Sequence, residues 1–220
     1  MAKIFAVILD MDGVIIDSNP YHKIALRQFC KMHGYHLTED ELRNKIYGRT
    51  NKEWIANLFE RKLSPEELIS LEEEKESLFR EIYKKDIKPL PGLRDFLDKL
   101  VRCKIPRAIG TSAPRSNVDF VLSNTGLEKY FSVILDETDV DHGKPNPEIY
   151  YKVAAKLRLP PLQCLVFEDS LSGVKAAQAA EAKVVGVATT HSKAELAHTD
   201  FVIADFRGLD PLELINQIFQ

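Results

Sequence analysis

The sequence predicts an α/β fold: a doubly wound parallel sheet that carries an all-helical insertion. Three observations predict it. Short apolar runs without polar alternation recur along the chain, the pattern of strands buried on both faces. Stretches with apolar residues at helical spacing lie between them, which implies successive strand–helix–strand units with both faces covered. One long segment, from about Asn19 to Asp86, has helical patterns and no convincing strand.

In chain order, Ile4–Leu9 is the first strand, apolar throughout. The insertion follows. "PYHKIALRQFCKMHG" is a helix that stops at Gly34. "SPEELISLEEEKESLFREIYKKD" has Ser64 as N-cap, Pro65 in the first turn and acids near the positive end of the helix. Its apolar stripe is Leu68, Leu71, Leu78, Phe79 and Ile82. The acid run Glu72–Glu74, with Lys75, Arg80, Lys84 and Lys85 around it, reads as a solvated face.

Pro89, Pro91 and Gly92 in "KPLPGL" mark the return to the sheet. Strands Ile105–Ser112, Phe131–Asp136, Gln163–Asp169, Lys183–Val187 and Asp200–Ala204 then alternate with helical patterns. These are Gly92–Arg102, Arg115–Thr125, Pro147–Leu157, Ser170–Ala180 and Pro211–Phe219. The expected division is 1–17 with 88–220 as a Rossmann-like core and 18–87 as a helical cap that closes over the strand ends. Trp54, the only Trp, reads as cap core. Cys30, Cys103 and Cys164 read as core fillers.

Composition narrows the function classes. With 30 basic and 33 acidic residues the net charge is -3, so no basic footprint for nucleic acid is present. The three cysteines are scattered and form no CxxC, which speaks against a disulfide framework or zinc site and for a reducing, cytoplasmic setting. The opening "MAKIFAVILDMD" has no long apolar region or small-residue cleavage site, so no signal peptide is expected. No stretch approaches the roughly 20 apolar residues that span a bilayer. No exposed apolar stripe is evident, and a monomer is the expectation.

Chemistry concentrates where strands end. Asp10 and Asp12 leave the first strand on one side, and Gly13 permits a sharp turn after them. Thr111 and Ser112 end a second strand, and Glu168 and Asp169 end another. Lys144 sits in the loop "HGKPNP", where Asn146 can cap and Pro147 can open a helix. In open α/β sheets the ligand crevice lies beyond the carboxyl ends of the strands, so these loops can meet.

Carboxylates gathered there repel unless a cation is present. An oxygen-only donor set favours a hard ion, with Mg²⁺ the first candidate. The hydroxyl and the lysine suit a phosphoryl group. With its charge neutralised, one Asp can attack phosphorus, and the second can protonate the leaving oxygen and then activate water. Taken singly, each residue has a plainer reading: Thr111 as a turn residue, Lys144 as a surface lysine. The alternative of a calcium loop fails, because Val14 and Tyr21 stand where its third and closing ligands belong.

The set "DMDGV", "AIGTS", "GKPNPEIY" and "FEDSLSGVKAA" resembles, in order and spacing, the four motifs of the haloacid dehalogenase superfamily. The helical insertion resembles that family's cap. The nearest branch is that of β-phosphoglucomutase and related sugar-phosphate phosphatases. The resemblance implies Asp10 as nucleophile and Asp12 as acid/base. It implies Asp10, the Asp12 carbonyl and Asp169 as metal ligands, with Glu168 either a ligand or a group that orients a neighbour. Thr111 or Ser112, with Lys144, would hold the phosphoryl group.

In the cap, His22 and Lys75 match a His and a Lys of the mutase. The plainer readings are a partly exposed first-turn residue for His22 and a solvated lysine, with Glu72 as partner, for Lys75. The mutase's cap Arg for a second phosphate lies in a "GxSRE"-like stretch. Here "GRTNKE" puts Asn51 at that place and Arg49 two residues earlier, which argues against a bisphosphate grip. Glu181 stands where the branch has a Gly after the fourth-motif helix, so a different local turn is expected there.

The resulting expectation is a Mg²⁺-dependent phosphatase acting on a small phosphorylated metabolite, a sugar phosphate first, through an aspartyl-phosphate. The alternatives are a phosphomutase and a receiver-like signalling domain. Asp12 and the large cap argue against the receiver. Pyrophosphate, phosphoglycolate and nucleotides remain open as substrates.

Overall fold

In the computed structural model, which describes residues 5–46, 49–59 and 61–219, the elements run β1 (Ala6–Leu9), α1 (Asn19–Met32), α2 (Glu39–Lys45), α3 (Asn51–Leu58) and α4 (Pro65–Tyr83). There follow α5 (Leu93–Arg102), β2 (Arg107–Gly110), α6 (Arg115–Thr125), β3 (Val133–Leu135), α7 (Glu148–Leu157) and β4 (Cys164–Glu168). The chain ends with α8 (Leu171–Ala179), β5 (Lys183–Val187), β6 (Phe201–Ile203) and α9 (Pro211–Ile218). It divides into two compact units, Met1–Asn19 with Ile87–Gln220, and Pro20–Asp86.

The first unit is a six-stranded sheet, parallel throughout, in the order β3-β2-β1-β4-β5-β6. The central strands β1 and β4 are buried at every residue, which is why their sequences are apolar without alternation. One face packs Ile8, Ala108, Val166 and Val184 against Tyr150 and Val153 of α7 and Val174 and Ala177 of α8. On α5, β4 and the segment after β6, Phe96, Phe167 and Phe206 meet with ring centroids 5.2–5.4 Å apart. Each such ring contributes roughly 1.5–3 kcal/mol by leaving water.

This topology places the site. The chain winds from β1 through β2 to β3 on one side and through β4 to β6 on the other, so the order reverses between β1 and β4. Leu9 is in register with both Ile109 and Phe167. The next residue, Asp10, therefore emerges beside Gly110 and Glu168, and its amide donates to the Phe167 carbonyl at 3.0 Å.

The second unit is helical, with Phe29, Cys30, Leu42, Trp54, Ile55 and Leu58 in its core. The helices α2, α3 and α4 each start in a reciprocal capping box: Thr38 with Glu41, Thr50 with Glu53, and Ser64 with Glu67. Each cap stabilises its helix by about 1 kcal/mol.

Several expectations need correction. The strands are two to four residues shorter than the apolar runs that announce them, except β5; Ile4 lies outside the described residues. Cys103 is exposed at the end of α5 and fills no core, whereas Cys30 and Cys164 are buried. Pro147 occupies the N-cap of α7 instead of its first turn, while Asn146 Oδ1 still accepts from the Glu148 amide at 3.0 Å. Glu181 does adopt the left-handed conformation, φ +64°. The Ala182 amide bonds back to the Ala177 carbonyl at 3.0 Å, a six-to-one helix closure that accepts a non-glycine residue. Among the described residues no helix is long and apolar enough to cross a membrane.

Candidate active site

Asp10, Glu168 and Asp169 form the acidic centre. They sit at the carboxyl ends of β1 and β4, are 7%, 0% and 3% exposed, and offer carboxylate oxygens all within 4.8 Å of one another. Lys144 enters from the loop before α7 with a side chain 6% exposed. Its Nζ donates to Asp10 Oδ1 at 2.8 Å, Glu168 Oε1 at 2.6 Å and the Gly110 carbonyl at 3.2 Å.

Of the three buried carboxylates, Asp10 and Glu168 share the Lys144 ammonium, and the electrostatics follow from that imbalance. Burial, aided by the neighbouring Glu168 charge and opposed by Lys144, pushes Asp10 up to about 7. Burial, with Glu168 and Asp10 adding repulsion, pushes Asp169 up to about 8. Burial alone would lower the Lys144 ammonium, but Asp10 and Glu168 outweigh it and hold it well above its ordinary value. The donor set is all oxygen and short of positive charge, so the residues fit a hard divalent cation.

Glu168 is engaged on both oxygens. Oε1 accepts from Lys144 and, at 2.6 Å, from the Tyr150 hydroxyl. Oε2 accepts from the Asp169 and Ser170 amides and the Ser170 hydroxyl at 3.1–3.2 Å. It lies against the start of α8, where a Cβ on Gly173 would stand 1.8 Å from Oε1. Asp169 in turn lies against Gly13, φ +76°, where a Cβ would stand 1.9 Å from Oδ2. Only glycine fits that turn, for both its conformation and its closeness.

Asp12 is half-buried, and the fully buried Ser18 hydroxyl donates to its Oδ1 at 2.5 Å. Thr111 is buried just beyond β2, and its hydroxyl oxygen accepts from the Ala113 amide at 3.2 Å, which leaves its proton to donate elsewhere. Ser112 is exposed. Between the two hydroxyls, Thr111 is the one next to Gly110, whose carbonyl takes Lys144.

In the helical unit, Lys75 is not the solvated lysine of the plainer reading. Its side chain is 5% exposed, with Nζ 2.7 Å from Glu76 Oε1 and 3.0 Å from His22 Nδ1. With Lys75 charged, His22 accepts on Nδ1 and carries its proton on Nε2. His22 also stacks on Phe79 at 3.7 Å. Asn51 donates to the same Glu76 oxygen at 2.6 Å and accepts from Trp54 Nε1 at 3.1 Å. Arg49 is exposed, with a bond to the Asn44 carbonyl, and its neighbour Gly48 lies outside the described residues.

Sequence reasoning missed Tyr150, Ser18, Glu76 and the pair Asn19 and Thr190, which bond to Asp169. Tyr150 stands six residues after Lys144, in the first turn of α7, and no spacing in the sequence marks it as a partner of Glu168.

A carboxylate pair just after β1, a buried lysine and a second acidic pair at the end of β4 define a class of α/β enzyme that works at the switch point of its sheet. The family model for haloacid dehalogenase-like hydrolases matches residues 7–187. A phosphorylated carbohydrates phosphatase of Thermotoga maritima is 37% identical over 80% of this chain and 81% of that protein. Among solved structures, a haloacid dehalogenase hydrolase of Entamoeba histolytica superposes with TM-score 0.90 at 32% identity, covering 99% of this chain and 100% of that one. A β-phosphoglucomutase of Clostridium difficile superposes with TM-score 0.83 at 25% identity, covering 98% and 97%. The chain belongs to the haloacid dehalogenase-like hydrolases.

Proposed function

We propose that this phosphohydrolase cleaves a small phosphate monoester, a sugar phosphate first, with Mg²⁺ and through a phosphoryl group carried on Asp10. The carrying observation is Lys144 held between Asp10 and Glu168 with Asp169 alongside. Mg²⁺ held by Asp10, Asp169 and the Asp12 carbonyl supplies positive charge against the phosphoryl oxygens.

Asp10 attacks phosphorus, and the ester oxygen leaves with the proton of the Asp12 carboxyl. Asp12, now a carboxylate, takes a proton from water as that water attacks phospho-Asp10. Phosphate leaves, and Asp10 is free again. The Ser18 hydroxyl fixes Asp12 for both proton transfers, which are worth about 10²–10⁴-fold in rate. Lys144 and the Thr111 hydroxyl bind the transferred phosphoryl oxygens. Glu168, with both oxygens taken by donors, orients Lys144 instead of ligating the metal.

The sugar-phosphate reading is supported by the Thermotoga relative, which is named for phosphorylated carbohydrates. Hydrolysis is favoured over mutation of the ester by the cap cluster. A mutase must hold a bisphosphate, yet Lys75 lies against Glu76, and Asn51 is bound to that same carboxylate. His22, Lys75, Asn51 and the exposed Arg49 remain the proposed cap contacts of the sugar end.

The test is a phosphate-release screen over phosphorylated metabolites with Mg²⁺, including β-glucose 1-phosphate with glucose 1,6-bisphosphate. Release from a sugar monophosphate that disappears in Asp10→Asn supports the reading. Isomerisation without release replaces it with the mutase.

A further inference from the structure

The loop that follows β5 reaches the acidic centre by a route the four motifs do not describe. Thr189 Oγ1 donates to the Gly13 carbonyl at 2.6 Å, which ties the loop to the turn after Asp12. Thr190 Oγ1 donates to Asp169 Oδ2. Asn19 Nδ2 donates to Thr190 Oγ1 at 2.5 Å and to Asp169 Oδ2 at 3.3 Å. The direction of each bond follows from the chemistry. A carboxylate only accepts and the amide nitrogen only donates, so the Thr190 hydroxyl takes from Asn19 and gives its proton to Asp169. Donors chained in that sense strengthen one another.

The consequence lies in how a carboxylate is aimed. The terminal torsion of Asp is broad and two-fold, so the backbone alone does not set the plane of a ligating carboxyl group. Here Oδ2 is pinned three ways: by the Thr190 hydroxyl, by the Asn19 amide, and by contact with the backbone of Gly13. That leaves Oδ1 of Asp169 as the oxygen free to be offered to a cation. Outer donors of this kind fix the orientation of metal-ligating groups.

We infer that Thr190, steadied by Asn19, is a positioning residue that aims the Asp169 carboxylate and so sets the affinity of the acidic centre for its divalent cation. This rests on the reading of Asp169 as a metal ligand. Thr190 is exposed, so its hydroxyl can be removed without opening the core.

The experiment titrates Mg²⁺ into the substrate-free protein by calorimetry, with the urea midpoint of each variant measured alongside. Thr190→Val keeps the shape and loses the hydroxyl; it raises the Mg²⁺ dissociation constant by about 10–100-fold. Thr190→Ser restores the donor and binds within about threefold of wild type, and Asn19→Ala falls between the two. Wild-type affinity in Thr190→Val overturns the inference. So does a Thr190→Ser variant as weak as Thr190→Val, since a packing role would then be the cause. A wild-type protein that takes up no divalent cation overturns the metal reading itself and the inference with it.

Discussion

Gly173→Ala sets two physical effects against each other. Gly173 is the third residue of α8, with ordinary helical backbone. By helix propensity alone, alanine there should stabilise the protein by about 1 kcal/mol. The site says the opposite. The new methyl group would stand 1.8 Å from Glu168 Oε1 and 2.0 Å from its Cδ, against an ordinary contact of 3.4 Å or more. Glu168 must retreat by about 1.6 Å, yet it is fully buried and bonded to Lys144 and Tyr150 at 2.6 Å. A retreat on that scale takes such bonds past the length at which they count as hydrogen bonds. Losing two bonds to a charged group, at roughly 1.5–3 kcal/mol each, gives a net destabilisation of about 2–5 kcal/mol after the propensity gain. Urea unfolding of the metal-free protein measures it, with phosphate release as a second readout because Lys144 loses its support. A midpoint equal to or above wild type would refute the claim that Glu168 is locked against α8.

Three further outcomes follow from the same geometry. Lys144→Met leaves Glu168 and Asp10 buried without their cation; it lowers stability by about 3–5 kcal/mol in urea and abolishes turnover. Metal-free protein should lose stability as pH rises. Asp10 at about 7 and Asp169 at about 8 both lie above the value of 3.8 expected in the unfolded chain, so the folded state binds more protons between those limits. Their contribution is intact below about pH 4 and is lost on passing 7–8; Tm measured with chelator should fall across that window, and Mg²⁺ should flatten the fall. Glu76→Gln leaves the Lys75 charge unbalanced, so the ratio of kcat/KM for a sugar bisphosphate over the monophosphate should rise by about tenfold. An unchanged ratio would remove Glu76 from substrate selection.

What the sequence disclosed, and what it withheld, divides along the reach of each interaction. Strands β1 and β4 are readable because burial on both faces forces an unbroken apolar run, and helices α7 and α8 because packing on a sheet forces a stripe. The helices α2 and α3 were not singled out, although Thr38 with Glu41 and Thr50 with Glu53 spell their starts; short helices have too few turns to show a stripe. Asp10, Lys144, Glu168 and Asp169 could be gathered because each ends or adjoins an apolar run, and the parallel sheet brings such ends together. Tyr150 and Thr190 could not, because a hydroxyl beside a carboxylate leaves no periodicity; its partner is fixed only by strand order and by which helix face meets the sheet. Lys75 shows the same limit from the other side. Neighbours at i,i+1 on a helix do not ordinarily face each other, so spacing alone gives no reason to pair Lys75 with Glu76. Burial of both residues, with His22 of α1 and Asn51 of α3 closing the cluster, reverses that rule. A charge on a helix is read as solvated until the neighbouring helices are known, and in this cap it is those neighbours that turn a lysine inward.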